Sequence, residues 1–258
     1  MDVSRLRIAC STCSTCSTCS TCSTCSLAQL CLPFSLSARD VSELDGVVQR
    51  RRTIHRRQYL YRADEPFHAV YAVRSGILKT SHLAAYGEEQ ITGFHLPGEI
   101  LGWDAIMSWA HPCDAVAVET ASVCVLPFER LEELARTIPS LQRQILRLMS
   151  RELFQDHEAL VAMARRPAEE RVVVALLSFS ERFARLGRSP TALRLPMTRG
   201  ELSNYLGLAP ETLSRVFRRL QASSLLRASG HEVVLHDLAA LRQLVGDGAS
   251  VNRQSQSG

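Results

Sequence analysis

The chain has 258 residues, enough for one large domain or two modest ones that each bury a core. Its composition, 46% hydrophobic and 22% charged, is typical of a globular protein, and apolar runs such as Val172–Leu177 are too short to cross a bilayer. No secretory signal precedes the first cysteines, so we expect a cytoplasmic protein with no membrane partner.

The net charge of +4 is unevenly distributed along the chain. Residues 165–230 contain 12 arginines against five acidic residues, a net +7, and the remainder is therefore acidic. A basic C-terminal part favours a polyanionic partner such as nucleic acid.

The first 34 residues form a cysteine-rich segment. Six cysteines repeat in Cys-Ser-Thr register over residues 10–25, Cys31 follows, and Cys113 and Cys124 are the remaining two. Disulfides are disfavoured in a cytosolic protein, so this distribution indicates metal-binding or redox-active thiols. The repeat has no apolar residue for a core and is expected to be disordered without a metal.

Short β-type runs alternate with regularly spaced turn signals from about Arg57 to Glu129. This spacing predicts an antiparallel sandwich or barrel, and we assign residues 35–138 to it.

A long helical pattern then begins near Pro139 and continues to about Ala164, within a predicted helical unit of residues 139–166. Its apolar positions alternate at spacings of three and four residues, which is the heptad seam of a two-stranded coiled coil. The alternative is a helix packed only on its own domain. In a homodimer, the acidic seam position would face its own copy, and the repulsion between the two charges would weaken the dimer. This property suits a dimer that forms and dissociates better than a permanent one. The seam is Leu146, Met149, Leu153, Asp156, Leu160 and Met163.

Residues 167–245 contain a helix-turn-helix pattern, followed by a tail, 246–258, that we expect to be disordered. A helix over Ala168–Leu186 precedes Gly187, a helix over Arg199–Leu206 ends at Gly207, and the next helix has Pro210 in its first turn. The segment Leu225–Leu235 is typical of a β-hairpin, which predicts a winged helix-turn-helix.

The second short helix carries the predicted base-reading residues. Glu211, Ser214 and Arg215 share one face, where arginine can donate twice to guanine and glutamate can accept from cytosine. Arg218 and Arg219 are better placed for phosphates, and Arg199 completes the predicted DNA-binding set. A surface ion pair is the alternative reading of the Glu211–Arg215 spacing.

From about Cys22 to Asp237 the chain resembles the FNR branch of the CRP/FNR regulator family. The motifs that carry the resemblance are Cys-x5-Cys-x-Pro-Phe at 25–34, Arg74-Ser-Gly76, Gly87-x-Glu-Gln-Ile-Thr-Gly-Phe-His-Leu96, Val123-Cys124, Met197-Thr-Arg-Gly200 and Glu211-Thr-x-Ser-Arg215. The resemblance implies an α+β protein: an N-terminal antiparallel β-roll of the cyclic-nucleotide-binding type, a long dimerisation helix and a C-terminal winged helix-turn-helix.

The resemblance also implies an oxygen-sensing [4Fe–4S] cluster bound by Cys22, Cys25, Cys31 and Cys124. Thiolates are the usual ligands of such clusters. The repeat leaves Cys19 open as the first ligand instead of Cys22, and Cys113 has no counterpart among the family's ligands. The implied partners are a second copy of the chain, double-stranded DNA with TTGAT-type half-sites, and RNA polymerase near Arg74–Gly76 and Gly87.

Two other kinds of protein remain as alternatives. A CRP-like regulator could take nitric oxide or a cyclic nucleotide, but Gly98-Glu99 is followed by no Arg or Lys before Arg130 to hold a phosphate. A cysteine-rich zinc or thiol redox module is the second, since Cys-x2-Cys is also a zinc spacing. We expect no enzymatic activity and no small-molecule substrate.

Overall fold

The computed structural model describes residues 21–83 and 87–246. Its first part is a roll of eight strands, β1 Gln49–Ile54, β2 Tyr59–Tyr61, β3 Ala69–Ser75, β4 Leu78–Leu83, β5 Glu89–His95, β6 Ile100–Leu101, β7 Asp114–Ala117 and β8 Ala121–Pro127. They form two four-stranded antiparallel sheets, with strand orders β1-β8-β3-β6 and β2-β7-β4-β5. The predicted β-roll is therefore confirmed.

Alternating side chains of the two sheets fill the inside of the roll, among them the buried Ile54, Leu78 and Val123. The turn between β3 and β4 depends on Gly76, whose φ is +74°. A Cβ there would lie 2.5 Å from the carbonyl oxygen of Thr120, so any side chain would push the two turns apart.

Two helices flank the roll, α1 Ala38–Val47 and α2 Phe128–Thr137, and the sequence reading missed both. A capping box begins α1, in which Asp40 N donates to Ser37 Oγ at 3.2 Å and Ser37 N donates to the Asp40 carboxylate. These helices and the start of the next helix bury a second core on the outer face of one sheet, which includes Leu32, Leu44 and Leu141.

The long helix α3 covers Pro139–Arg165, close to the predicted limits. Leu141 and Leu148 on one side are buried in the second core, whereas Leu146, Leu153 and Leu160 on the other side are 57–61% exposed. The apolar seam therefore faces away from the chain's own roll.

A winged helix-turn-helix follows, as predicted. It consists of α4 Ala168–Arg185, β9 Ala192–Arg194, α5 Arg199–Tyr205, α6 Pro210–Ala222, β10 Leu226–Ser229, β11 Glu232–Leu235 and α7 Leu238–Leu244. The predicted hairpin, β10–β11, gains β9 as a third antiparallel strand that the sequence reading did not identify.

The winged unit packs directly against the roll. Ile91, Phe94 and Leu96 of the roll belong to the same core as the helices α4–α6. The side chain of Asn204 also forms two hydrogen bonds with the backbone of the edge strand β5. Its Nδ2 donates to the Glu89 carbonyl and its Oδ1 accepts from Ile91 N, both at 2.6 Å. Among residues 21–83 and 87–246, no helix is long and apolar enough to span a membrane.

Candidate functional site

Four cysteines line one cavity between the N-terminal loop and the roll. Three of them, Cys22, Cys25 and Cys31, lie on a loop of consecutive turns, and the fourth, Cys124, lies on β8. The loop cysteines are partly buried, whereas the intervening Ser23 and Thr24 are exposed. The walls are otherwise mainly apolar, with contributions from Leu27, Leu32, Leu44 and Leu126.

Side chains from two helices hold the loop in place. Cys22 N donates to Asp45 Oδ1 of α1 at 2.5 Å, and Gln144 Nε2 of α3 donates to the Cys31 carbonyl at 3.1 Å. The loop also lies against Gly98, whose missing Cβ would sit 2.8 Å from the Cβ of Leu30. The sequence reading did not identify Asp45 or Gln144, because neither belongs to a motif with the cysteines.

Two of the thiols around the cavity have raised pKa values. Burial, with Cys124 and Cys25 adding to it, raises the pKa of the Cys31 thiol to about 12. The pKa of Cys22 is also raised, first by burial and then by Asp45, Cys31 and Cys124. These two thiols are thus protonated at neutral pH, and a cation that binds them must displace the protons.

Four thiols around one cavity are a donor set of the kind that an iron–sulfur cluster uses. None of the five cysteines of the described segments forms a disulfide. In those segments no three His, Cys, Asp or Glu side chains are grouped closely enough to hold one metal ion. A [4Fe–4S] cluster needs four thiolates around one cavity, each on its own iron, and an all-sulfur set suits it.

The other cysteines stand apart from this cavity or outside the described segments. Cys113 is buried in the core of the roll, where its Sγ lies 3.6 Å from Asp104 Oδ2. Burial and then Asp104 raise its pKa to about 12, which makes it an inert thiol at neutral pH. Cys19, the alternative first ligand, belongs to residues 1–20, outside the described segments.

The second candidate site is the outer face of α6. Glu211, Ser214, Arg215 and Arg218 are all exposed there, while Leu213, Val216, Phe217 and Leu220 anchor the opposite face in the core. Ser214 Oγ donates to the Pro210 carbonyl at 2.9 Å. The face therefore carries both donors and acceptors that could reach base edges.

Arg199 and Arg219 differ from that exposed set. The guanidinium of Arg199 lies 3.9 Å from the ring centroid of Phe217 and is half-buried, so it stacks on this aromatic ring of α6. Arg219 forms an ion pair with Glu169 of α4, with 2.8 Å between Nη1 and Oε2.

The seam of α3 is the third feature. Five of its six positions, Leu146, Leu153, Asp156, Leu160 and Met163, are exposed, and Met149 packs partly on the second core. Burial raises the pKa of Asp156, and Asp104 raises it further. Glu152, on the same helix, has its pKa raised to about 8 by burial and then by Asp156, Asp104 and Glu99. Acidic groups are thus concentrated near the middle of the seam, and Glu152 is mainly protonated at neutral pH.

Two family models match the chain. A cyclic nucleotide-binding domain matches residues 51–138, which contain all of the roll but the first two residues of β1, and a Crp-like helix-turn-helix domain matches residues 170–244.

Curated relatives match over most of their length. The chain is 48% identical over 220 residues to the transcriptional activator protein Anr of Pseudomonas protegens, covering 85% of this chain and 90% of Anr. It is 42% identical over 220 residues to the fumarate and nitrate reduction regulatory protein of Escherichia coli, covering 85% and 88%. Among solved structures, FixK2 from Bradyrhizobium japonicum superposes with a TM-score of 0.70 at 29% identity, covering 76% of this chain and 97% of that one.

Proposed function

The chain belongs to the FNR/Anr branch of the CRP/FNR family of DNA-binding transcription regulators, and from this membership we propose that it senses oxygen through a [4Fe–4S] cluster. Its relatives are anaerobic and metabolic regulators by name, and they confirm the predicted family and the prediction that the chain is not an enzyme. The ligands we propose are Cys22, Cys25, Cys31 and Cys124.

The observation that carries this proposal is the cavity shared by those four cysteines. Three come from one loop and the fourth from a strand about a hundred residues later in the chain, yet all four line the same space. A redox module built on the Cys-Ser-Thr repeat alone would have no use for Cys124. When bound, a cluster would supply an oxygen-labile centre in this cavity.

We favour Cys22 over Cys19 as the first ligand. Its backbone N–H is held by Asp45, and its side chain lines the cavity.

The chain's own contacts suggest how the ligands act on the dimer. Cys31 and Leu32 pack with Leu141 and Leu148 of α3, so the ligand loop and the dimerisation helix share one core. Release of the loop would expose that core to solvent and change how α3 packs against the roll. We therefore propose that the loaded protein dimerises along the seam and the unloaded protein dissociates, aided by repulsion at Asp156.

Each protomer would place α6 in the major groove of one TTGAT-type half-site. Glu211, Ser214 and Arg215 would read base edges, and Arg218 would contact phosphates. By family resemblance, the turns at Arg74–Gly76 and Gly87 would contact RNA polymerase.

Anaerobic purification of single Cys→Ala variants tests the cluster assignment. We expect wild type to be a brown, iron- and sulfide-containing dimer that oxygen bleaches. Replacement of Cys25, Cys31 or Cys124 should abolish the cluster and DNA binding, and replacement of Cys22 should do so if it is the first ligand. Cys113→Ala, a buried thiol outside the cavity, is the matched control.

Two results would contradict the proposal. A colourless protein that contains zinc would favour the zinc alternative, and a wild-type level of cluster in Cys124→Ala would overturn the ligand set. Loss of the cluster in Cys19→Ala but not in Cys22→Ala would move the first ligand by one repeat.

A further inference from the structure

Gln144 is an unusual residue on the buried side of α3. The other buried residues of that helix, Leu141, Leu148 and Ala162, are apolar. Only 4% of the surface of Gln144 is exposed, and its Nε2 donates to the carbonyl of Cys31 at 3.1 Å. Its Oε1 has no hydrogen-bond partner within the described segments.

Packing alone does not account for an amide at this position. A buried amide loses its hydrogen bonds to water, and an unmatched oxygen leaves part of that loss uncompensated. A leucine, as at the two neighbouring core positions of α3, would fill the space without that cost. Gln144 therefore serves a purpose other than filling the core.

The position of Gln144 joins two functional surfaces of the chain. On its inner side it bonds the backbone of a proposed ligand, 113 residues away in sequence. Two residues further along the helix, on the outer side, Leu146 begins the exposed seam. A helix transmits a shift at one residue to the next turn, since its backbone hydrogen bonds resist bending.

We propose that Gln144 is the positioning residue that couples the ligand loop to the dimerisation helix. The inference rests on the proposed function and names the contact through which it is regulated. With the loop in place, the Cys31 carbonyl accepts from Gln144 Nε2 and holds this part of α3 against the roll. With the loop released, Nε2 would be unpaired as Oε1 already is, so the buried position of this turn of α3 becomes unfavourable.

Such a contact makes cluster binding and dimerisation thermodynamically linked. The measure of the link is the ratio of the dimer dissociation constants without and with the cluster. A residue that only supports the fold changes both constants together and leaves the ratio as it was. A coupling residue changes the ratio itself.

The test compares this ratio in wild type and in Gln144→Leu, which keeps the volume but removes both polar atoms. Sedimentation of each protein is measured anaerobically and again after air has removed the cluster, with iron and sulfide counted per chain. We expect Gln144→Leu to bind a wild-type amount of cluster and to lower the ratio about tenfold, equivalent to about 1.4 kcal/mol of coupling. Gln144→Met is also uncharged and has a side chain of similar length, so it should lower the ratio by a similar factor. It provides the test if the leucine variant does not fold.

Leu131→Val is the matched control, because Leu131 lies in the same core but on α2, away from the dimerisation helix and the cavity wall. It should weaken packing and leave the ratio unchanged. A wild-type ratio in the folded Gln144 variants, or an equal fall of the ratio in Leu131→Val, would overturn the coupling role. A wild type that binds no cluster, or whose dimerisation ignores it, would overturn the proposed function and this inference with it.

Discussion

Arg182 of α4 and Glu99 of the β5–β6 turn form a two-point ion pair between the winged unit and the roll. Nε lies 2.8 Å from Oε1 and Nη2 lies 2.6 Å from Oε2, and Nη2 also donates to the Phe94 carbonyl. Burial alone would raise the pKa of Glu99, but the charge and hydrogen bonds of Arg182 outweigh it and hold the pKa below its usual value. The carboxylate that follows Gly98 is thus engaged by the chain's own arginine.

Replacement of Arg182 by methionine should destabilise the protein by about 2–4 kcal/mol, because Glu99 would keep its buried charge without a partner. Urea unfolding at neutral pH measures the change. Arg219→Met is the control, since its ion pair with Glu169 is largely exposed and is worth about 0–1 kcal/mol. Equal losses in the two variants would show that the pair at the junction contributes no more than a surface pair.

The stability of the protein should fall as the pH drops from about 6.5 towards 4, in part because of His95. Burial lowers the pKa of His95 to about 4. The unfolded chain therefore takes up a proton at His95 near pH 6.5 while the folded chain does not, and each step down in pH favours unfolding. This residue accounts for about 3 kcal/mol over the whole interval.

Chemical unfolding at several pH values between 4.5 and 7 tests this expectation. His95→Gln should flatten the profile, whereas His55→Gln, at an exposed position, should leave it unchanged. A His95→Gln profile as steep as that of wild type would contradict the buried neutral state of this imidazole.

Asp156→Asn should tighten the dimer of the cluster-free protein by about 5- to 10-fold, because it removes like charges that face each other across the seam. Since the pKa of Asp156 is raised, the difference from wild type should shrink as the pH is lowered and the wild-type carboxyl becomes protonated. Sedimentation equilibrium at pH 5 and pH 8 measures both effects. Glu158→Gln, on the opposite side of α3, should change neither, and an unchanged dimer in Asp156→Asn would refute charge repulsion at the seam.

Arg215→Ala and Arg218→Ala should weaken DNA binding in different ways. Loss of a base-reading arginine costs about 1–3 kcal/mol at one base pair and relaxes the preference there. Loss of a phosphate contact weakens binding to all sequences alike and lowers the slope of log affinity against log salt by about one. Titration of half-site variants at several salt concentrations separates the two, and equal weakening by Arg215→Ala on every sequence would contradict its role in base reading.

The sequence by itself determined the features that are encoded over one or two turns of chain. The seam on α3, the two helices around Gly207 and the hairpin after Leu225 follow from the period of the α-helix and from local turn chemistry, so a linear reading found them. It missed α1 and α2 because their short apolar patterns lie beside a long run of β-type sequence. It also missed β9, whose three residues carry too little pattern to be recognised.

Only the tertiary structure decided which distant residues meet. Cys124 reaches the cysteine loop because the register of β8 against β3 puts it opposite Ala72 on the cavity wall, and no local pattern encodes that register. The bonds of Gln144 to Cys31 and of Arg182 to Glu99 join residues 113 and 83 positions apart. Such contacts arise from how the sheets and helices pack, and packing depends on the whole chain at once.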